Sequence, residues 1–193
     1  MTLENKTILI TGAARRLGNA TAIFLAQQGA NLVLHYNSSS TEVEMTKKAI
    51  VDLGSRCWTI QADLSNLADL SALIEMAVSF SPLDGLINNA SLFKPLTMEQ
   101  TTLTDWENHL RINLTAPFFL TQQFASTYNQ PDVGRVINLV DWRALRPGKD
   151  HFPYTISKSA LVALTKAAAL SLAPRITVNA IALGAILPPE NEV

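Results

Sequence analysis

Apolar runs and amphipathic stretches alternate along the whole chain. Six short runs rich in aliphatic and β-branched residues predict strands over residues 6–11, 30–36, 55–63, 83–91, 134–141 and 175–183. Between these runs the apolar residues recur at helical spacing, which predicts helices over 14–29, 40–54, 67–80 and 106–128, and from 154 to about 173. Because the strands are apolar on both faces, this order predicts a parallel sheet that helices cover on both sides.

The alternation of strand and helix continues without a linker, a repeat or a low-complexity tract. We therefore expect a single α/β domain over residues 1–193, built on a doubly wound parallel sheet of the Rossmann-like kind. After the sixth predicted strand the sequence continues only with "GAILPPENEV", residues 184–193.

Composition narrows the functions that such a domain can have. Hydrophobic residues make up 48% of the chain and the formal net charge is -1, so nothing draws it to nucleic acid or to an anionic membrane. Cys57 is the only cysteine, and His35, His109 and His151 are far apart in sequence. We therefore expect no disulfide and no metal site, and we interpret each histidine as an ordinary polar or half-buried residue.

The chain gives no sign of export or membrane insertion. Its start, "MTLENKTILI", lacks the basic and long apolar regions of a signal peptide, and no apolar run is long enough to cross a bilayer. We expect a cytoplasmic protein whose partner is a small molecule, not nucleic acid or a membrane.

The turn between the first strand and the first helix, "TGAARRLG", has features of a phosphate-binding loop. In a parallel sheet this turn lies at the carboxyl edge, where backbone N–H groups and a helix N-terminus suit a pyrophosphate. Gly12 and Gly18 allow a tight turn and a close approach, although two glycines alone are weak evidence. Arg15 and Arg16 strengthen the interpretation, since adjacent cations repel each other unless an anion lies nearby, but both could also extend into solvent.

The end of the second strand, "LHYNSSS", indicates which dinucleotide is preferred. A site for NAD usually has an acid here, which holds the ribose 2′-hydroxyl. The first acid in this chain is Glu42, well inside the next helix, whereas Asn37, Ser38 and Ser39 could donate to a 2′-phosphate. With Arg15 nearby the sequence favours NADPH, although any one of these residues could be an ordinary loop residue.

The segment after the fifth strand carries candidate proton-transfer chemistry. Tyr154 and Lys158 are four residues apart on one predicted helix, so they share a face. A phenol is a poor acid at neutral pH, and we expect the neighbouring ammonium to lower the pKa of Tyr154 and make it a better proton donor. The Tyr-x-x-x-Lys spacing is weak evidence alone and gains weight from its position in a nucleotide-binding sheet.

These motifs together resemble the short-chain dehydrogenase/reductase superfamily. The similarity covers essentially all 193 residues, because "TGAARRLG", "ADLS", "NNAS", Asn113, "YTISK" and "VNAIALG" occur in the family's order. The resemblance implies that Asp63 binds the adenine amino group and that Asn113 supports a water-mediated proton path to Lys158. It also implies a cofactor site formed by Gly12, Arg15, Arg16, Leu17, Gly18, His35, Tyr36, Asn37, Ser38, Ser39, Asp63, Leu64, Asn89, Ala90, Ser91, Lys158 and Gly184.

At two positions the chain differs from most members of that superfamily and resembles its pteridine reductase branch. Arg16 stands where most members have glycine, and Asp141 stands where most have serine, thirteen residues before Tyr154. The stretches "LHYNSSS", "QADLSN" and "NNASLF" also resemble that branch. The resemblance implies that Phe93 stacks on the pterin opposite the nicotinamide, and that Arg16, Ser91, Asp141 and Tyr154 contact the substrate. Taken alone, Phe93 would more often be a core aromatic and Ser91 a loop residue.

A carboxylate at position 141 favours a nitrogen heterocycle as substrate. A ketone needs a donor at its oxygen, and a carboxylate would repel the negative charge that develops there during hydride transfer. A reduced pterin presents ring N–H and amino donors, which Asp141 can accept. We expect NADPH-dependent reduction of a C=N bond in a dihydropterin or dihydrofolate-like ring, in which Tyr154 protonates, Asp141 orients the ring and Lys158 tunes the donor.

Two alternatives stay open. A carbonyl or 3-oxoacyl reductase of the same superfamily would also use Tyr154 and Lys158, and Asp141 argues against it. A catalytically inactive NADP(H)-binding protein would fit the expectation that the family's last helix and strand are missing, but a sensor needs no proton donor. The helix containing "ALVALTKAAAL" is apolar on more than one side, and together with the resemblance this predicts a homo-oligomer, a dimer or tetramer.

Overall fold

The computed structural model describes residues 3–186, in which strands and helices alternate as the sequence predicts. The strands are β1 (Thr7–Ile10), β2 (Asn31–Tyr36), β3 (Cys57–Gln61), β4 (Gly85–Asn88), β5 (Gly134–Asp141) and β6 (Ile176–Leu183). The helices are α1 (Arg16–Gln27), α2 (Ser40–Asp52), α3 (Leu67–Phe80), α4 (Leu103–Leu110), α5 (Ala116–Thr127) and α6 (Phe152–Leu172).

All neighbouring strands pair in parallel, in the order β3-β2-β1-β4-β5-β6. The chain reverses its direction of winding between β1 and β4, which are neighbours in the sheet. A doubly wound sheet opens a crevice at the carboxyl ends of its strands at this reversal, and ligands bind there. The predicted fold class is therefore confirmed, and the sheet order fixes where a site should lie.

Helices cover both faces of the sheet, and alternate residues of β1 show how the core divides. Leu9 belongs to the cluster that packs under α3 and α5 with Leu86, Leu120 and Phe124. Ile8 and Ile10 point to the opposite face and belong to the cluster under α1 and α2. The strand β6 departs from this pattern, since Asn179–Ala182 are exposed on it, so the expectation of strands apolar and covered on both faces fails at this edge.

The long helix predicted over 106–128 differs from the structure. Its first part belongs to α4, a π-helical turn follows at Arg111–Thr115, and α5 completes it. A π turn inserts one extra residue without ending the helix, so the sequence predicts one continuous helix here. Such turns often occur at functional sites, and Asn113 lies inside this one.

Two of the three histidines are more deeply buried than the sequence suggests. His35 is 2% exposed and His109 is fully buried, so the interpretation of both as half-buried is wrong. Within residues 3–186 no helix is long and apolar enough to span a membrane, and no group of three metal-ligating side chains could hold an ion.

Candidate active site

A cleft of about 480 Å³ opens at the carboxyl edge of the sheet, beside β1, β2 and β4. Of the predicted cofactor residues, fifteen line it: Gly12, Arg15, Arg16, Leu17, Gly18, His35, Tyr36, Asn37, Ser38, Ser39, Asp63, Leu64, Asn89, Ala90 and Ser91. The sequence did not single out three further lining residues, namely Ala14, Leu92 and Ile112. Their apolar side chains carry no chemical signal, so only their place in the fold reveals them.

Glycine is required at two positions of the first turn. Gly12 has φ +62°, and a Cβ there would lie 2.9 Å from the Cα of Ala90. A Cβ on Gly18 would overlap the carbonyl oxygen of Gly12 and lie 2.8 Å from Nδ2 of Asn89. The turn is thus packed directly against the end of β4, and its backbone is left open to a ligand.

Hydrogen bonds from the two residues that follow β4 hold this turn in place. The Asn89 side chain donates from Nδ2 to the carbonyl oxygens of Thr11 (2.7 Å) and Gly12 (2.9 Å). In return, Oγ1 of the buried Thr11 accepts from the backbone N–H groups of Asn89 and Ala90, each at 3.0 Å. Asn89 therefore shapes the cleft through the turn, and Thr11, which sequence reasoning did not assign, shares that task.

The imidazole of His35 lies beneath the turn. Its Nδ1 accepts the Gly12 N–H at 3.1 Å, and its Nε2 donates to the Ala62 carbonyl oxygen at 3.1 Å. Burial lowers the pKa of His35 to about 4, so the ring is neutral at physiological pH. Both ring nitrogens are engaged within the protein, so His35 positions the loop and has no side-chain donor left for a phosphate.

The residues of this cleft fit a dinucleotide that carries an extra phosphate. The helix α1 begins at Arg16, and Arg15 and Arg16 both line the cleft. Ser38 and Ser39 lie where β2 passes into α2, and Asp63 is the single acid among the lining residues. Glycine backbone, a helix N-terminus, two guanidinium groups and two hydroxyls form a donor set suited to phosphate oxygens.

The predicted catalytic residues come together at the end of β5. Asp141 is the last residue of β5, and its Oδ2 accepts a hydrogen bond of 3.1 Å from the Tyr154 hydroxyl. Tyr154 and Lys158 lie on one face of α6 and are 6% and 3% exposed. The Lys158 ammonium donates to the Leu139 carbonyl oxygen at 2.7 Å and lies 5.8 Å from the centre of the Tyr154 ring.

The pKa of Tyr154 differs from the expectation that the Lys158 ammonium lowers it. Burial first, and then the Asp141 carboxylate, raise the pKa of Tyr154 above its usual value, and the cation that opposes this is Arg143. The predicted lowering of that pKa by Lys158 is therefore wrong for this arrangement, because the ammonium is bound to a main-chain oxygen of β5. Burial lowers the pKa of Lys158 itself to about 8, and Asp141 opposes that shift.

Both polar atoms of the Asn113 side chain form hydrogen bonds, which link the loop after β4 to α6. Its Oδ1 accepts from the Leu92 N–H (2.7 Å) and the Ser91 hydroxyl (3.2 Å), and its Nδ2 donates to the Leu92 carbonyl (2.9 Å) and to Ser157 (3.0 Å). No hydrogen bond joins it to Lys158 within residues 3–186. The geometry gives Asn113 a positioning role, and the predicted proton path through it stays a prediction.

Phe93 is not a core residue. Its side chain is 51% exposed, and its ring meets that of Tyr154 nearly edge-on, with centroids 4.6 Å apart at 78°. His151 stacks on it almost in parallel, with centroids 4.0 Å apart at 14°. Arg143 lies 5.9 Å from the centre of the same ring. Sequence reasoning missed Arg143 and the role of His151, although both lie between Asp141 and Tyr154 in the chain.

Gly184 lies immediately after β6 and outside the lining of the dinucleotide cleft. The strand register pairs its neighbour Leu183 with Asp141, so Gly184 follows at the same edge of the sheet. A Cβ on Gly184 would meet no other atom within 4 Å. The structure therefore brings Gly184 near the end of β5 but gives it no contact with the cleft.

The chain is similar to known oxidoreductases along almost its whole length. A family model described as short chain dehydrogenase matches residues 6–192. The 3-oxoacyl-[acyl-carrier-protein] reductase of a Synechocystis species is 32% identical over 95% of this chain and 75% of its own length.

Solved structures extend the comparison. The FolM alternative dihydrofolate reductase 1 of Brucella suis, in complex with NADP, has a TM-score of 0.88 at 37% identity and covers 95% of this chain and 77% of its own. A blue fluorescent protein from a metagenomic library, in complex with NADPH, has a TM-score of 0.87 at 33% identity, with coverages of 94% and 75%. Together with the cleft, the turn and the Tyr154–Lys158 pair, these matches establish that the chain belongs to the short-chain dehydrogenase family of oxidoreductases.

Proposed function

We propose that this protein reduces a C=N bond of a dihydropterin or of a dihydrofolate-type ring with NADPH. The observation that carries the proposal is the 3.1 Å hydrogen bond from the Tyr154 hydroxyl to the Asp141 carboxylate, next to the half-exposed ring of Phe93. An acid, a phenol and an open aromatic face suit a flat ring that both donates and accepts hydrogen bonds.

The cofactor is NADPH. Two arginines and two serines line the cleft and supply donors for a 2′-phosphate, and Asp63 is the single acid among the lining residues. Asp63 Oδ1 accepts from the Ser65 N–H and hydroxyl, which leaves Oδ2 for an adenine amino group. The solved Brucella and metagenomic relatives are complexes with NADP or NADPH, which supports the same cofactor here.

The chemistry divides between the cofactor and the residues around the substrate. When bound, NADPH would supply a hydride for the carbon of the C=N bond. Tyr154 gives its hydroxyl proton to the nitrogen of that bond, so that one CH–NH unit forms. Asp141 accepts ring N–H or amino donors and so fixes the orientation of the ring, and Phe93 stacks against its face.

The relatives that reduce 3-oxoacyl groups support a second candidate, a carbonyl reductase. Such a reaction develops negative charge on the carbonyl oxygen, which requires a donor beside Tyr154. Asp141 holds the corresponding position, its Oδ1 accepting from the Arg143 N–H and its Oδ2 from Tyr154. An acceptor side chain there opposes ketone reduction, so we rank the pterin reaction first.

The test is NADPH oxidation with purified protein and three substrates: dihydrobiopterin, dihydrofolate and a 3-oxoacyl thioester. We expect turnover with at least one of the first two and a rate at least about tenfold lower with the thioester. A faster rate with the thioester would assign the carbonyl reaction. Binding of NADPH without turnover of any of the three would favour the inactive-binder alternative.

Assembly and location are expectations of the same proposal. The exposed apolar side chains of Ile156 and Leu170, which are 38% and 85% exposed on α6, support association with a second copy of the chain. A molar mass from light scattering at twice or four times the 21.0 kDa of the chain would bear this out, and a monomer would contradict it. We expect this activity in the cytoplasm.

A further inference from the structure

Arg143 is bound to the catalytic pair through its own backbone. It lies in the 3-10 turn Trp142–Ala144 that follows β5, and its N–H donates to Oδ1 of Asp141 at 2.8 Å. The other oxygen of that carboxylate accepts the Tyr154 hydroxyl. The turn therefore aims the carboxylate at the phenol, and the Arg143 cation lies near enough to Tyr154 to oppose the rise in the pKa of its hydroxyl.

The guanidinium group is held in a fixed position between aromatic rings. Its centre lies 5.1 Å from the ring centre of Trp142 and 5.9 Å from that of Phe93, whose ring in turn packs on Tyr154. Nη2 pairs with Asp150 at 3.2 Å. The side chain is only 22% exposed, and its Nε is buried without a hydrogen-bond partner in the described part of the chain. One ion pair and two aromatic rings thus hold the guanidinium charge in a largely desolvated position.

A positive charge near Tyr154 would favour proton donation by its hydroxyl. When the hydroxyl gives up its proton, a phenolate is left 3.1 Å from a carboxylate oxygen, and two anions at that distance repel strongly. The Lys158 ammonium is bound to the Leu139 carbonyl, and its pKa of about 8 leaves it partly neutral at mildly alkaline pH. An arginine stays charged throughout that range.

We propose that Arg143 is a positioning residue whose fixed positive charge offsets the negative charge of the Asp141–Tyr154 pair and so supports proton donation. The kinetic part of this inference rests on the proposed function. The electrostatic part concerns residues of this chain alone, so it can be tested whether or not a pterin is the substrate.

The first test is a stability cycle that needs no turnover. The free energy of unfolding in urea is measured for the wild type, Asp141→Asn, Arg143→Met and the double variant. Arg143→Met removes the contacts of Arg143 with Asp150, Trp142 and Phe93 whether residue 141 is Asp or Asn, so these contacts cancel in the comparison. If the guanidinium offsets the charge of Asp141, the loss caused by Arg143→Met shrinks by more than half once residue 141 is neutral. Equal losses in both backgrounds would overturn the proposal.

The second test separates charge from shape in turnover. Arg143→Met should lower kcat on the best substrate by about tenfold or more, while the Kd for NADPH stays within about twofold. Arg143→Lys, which restores a cation, should recover most of that kcat. Arg146→Met is the matched control, since this exposed arginine lies in the same segment and should leave kcat unchanged. Failure of the Lys variant to rescue would mean that shape, not charge, matters.

The two tests distinguish this inference from the proposed function. If no pterin or folate is reduced, the kinetic test is run on whichever substrate the protein does turn over, and the stability cycle stands unchanged. Should Arg143→Met not fold, Arg143→Gln removes the same charge with a smaller change in polarity and completes both tests.

Discussion

The imidazole of His151 stacks on the phenyl ring of Phe93, with centroids 4.0 Å apart and planes 14° from parallel. One face of Phe93 is therefore already covered by a flat nitrogen heterocycle, and yet half of the side chain remains exposed. Phe93 therefore keeps an exposed aromatic surface next to Tyr154, whose ring centroid lies 4.6 Å from its own. In the proposed function a pterin ring stacks on the exposed part.

We predict that Phe93→Ala raises KM for the dihydropterin by about two- to tenfold, the equivalent of an aromatic stack worth roughly 0.5–1.5 kcal/mol. The Kd for NADPH should stay within about twofold, because Phe93 does not line the dinucleotide cleft. Steady-state kinetics and fluorescence titration give the two constants. Phe118→Ala is the control, an exposed phenylalanine on α5, and an equal effect from it would refute the assignment.

A second prediction concerns Asp141, the acid on which the proposed preference for a pterin over a ketone rests. Asp141→Ser removes the acceptor for ring N–H groups and should lower kcat/KM for the dihydropterin by about a hundredfold, with little change in NADPH affinity. Asp52→Ser, at an exposed ion pair on α2, is the control. Equal losses of turnover and of NADPH binding would show that Asp141 supports the fold more than the reaction.

The first turn should tolerate no side chain at position 18. A Cβ on Gly18 overlaps the Gly12 carbonyl oxygen, so Gly18→Ala must push the turn away from Asn89. We expect a loss of about 1–3 kcal/mol in stability, as in other overpacked sites, and at least about tenfold weaker NADPH binding. Gly85→Ala is the matched control, since its Cβ would have neighbours no nearer than 3.5 Å. Unchanged melting temperature and NADPH affinity would contradict this account.

Sequence alone predicted the sheet and most of the cleft because their signals are local. Apolar runs identify each strand, and the order of strands and helices then brings Gly12, Ser38, Asp63 and Asn89 to one edge. These residues were assignable without knowledge of any contact between them.

Other features depend on contacts that no local pattern encodes. Nothing in the spacing of Lys158 reveals that its ammonium reaches the Leu139 carbonyl and not the Tyr154 hydroxyl. His151, which stacks on Phe93, has a left-handed backbone with φ +53°. This conformation is uncommon for residues other than glycine, so the sequence does not predict it. The π turn around Asn113 continues the helix and contains no helix-breaking residue, and so it was predicted as ordinary helix.

The buried ammonium of Lys158 should make stability rise with pH. Its folded-state pKa of about 8 lies below the ordinary 10.5, so between these values the unfolded chain binds a proton that the folded chain does not. Stability therefore increases through that window, by up to about 3 kcal/mol for this group. The raised pKa of Tyr154 acts in the opposite sense only above about pH 10, where the unfolded phenol has lost its proton.

Urea unfolding from about pH 7 to about pH 9.5 isolates the Lys158 contribution. Lys158→Met should flatten the rise, because a neutral side chain of similar length has no proton to lose on folding. Lys166→Met, at an exposed position of the same helix, should leave the rise as it is in the wild type. Two outcomes would contradict this account: a wild-type stability that does not rise with pH, or an equal effect of both variants on the rise. Either would mean that burial does not lower the pKa of Lys158 in the folded protein.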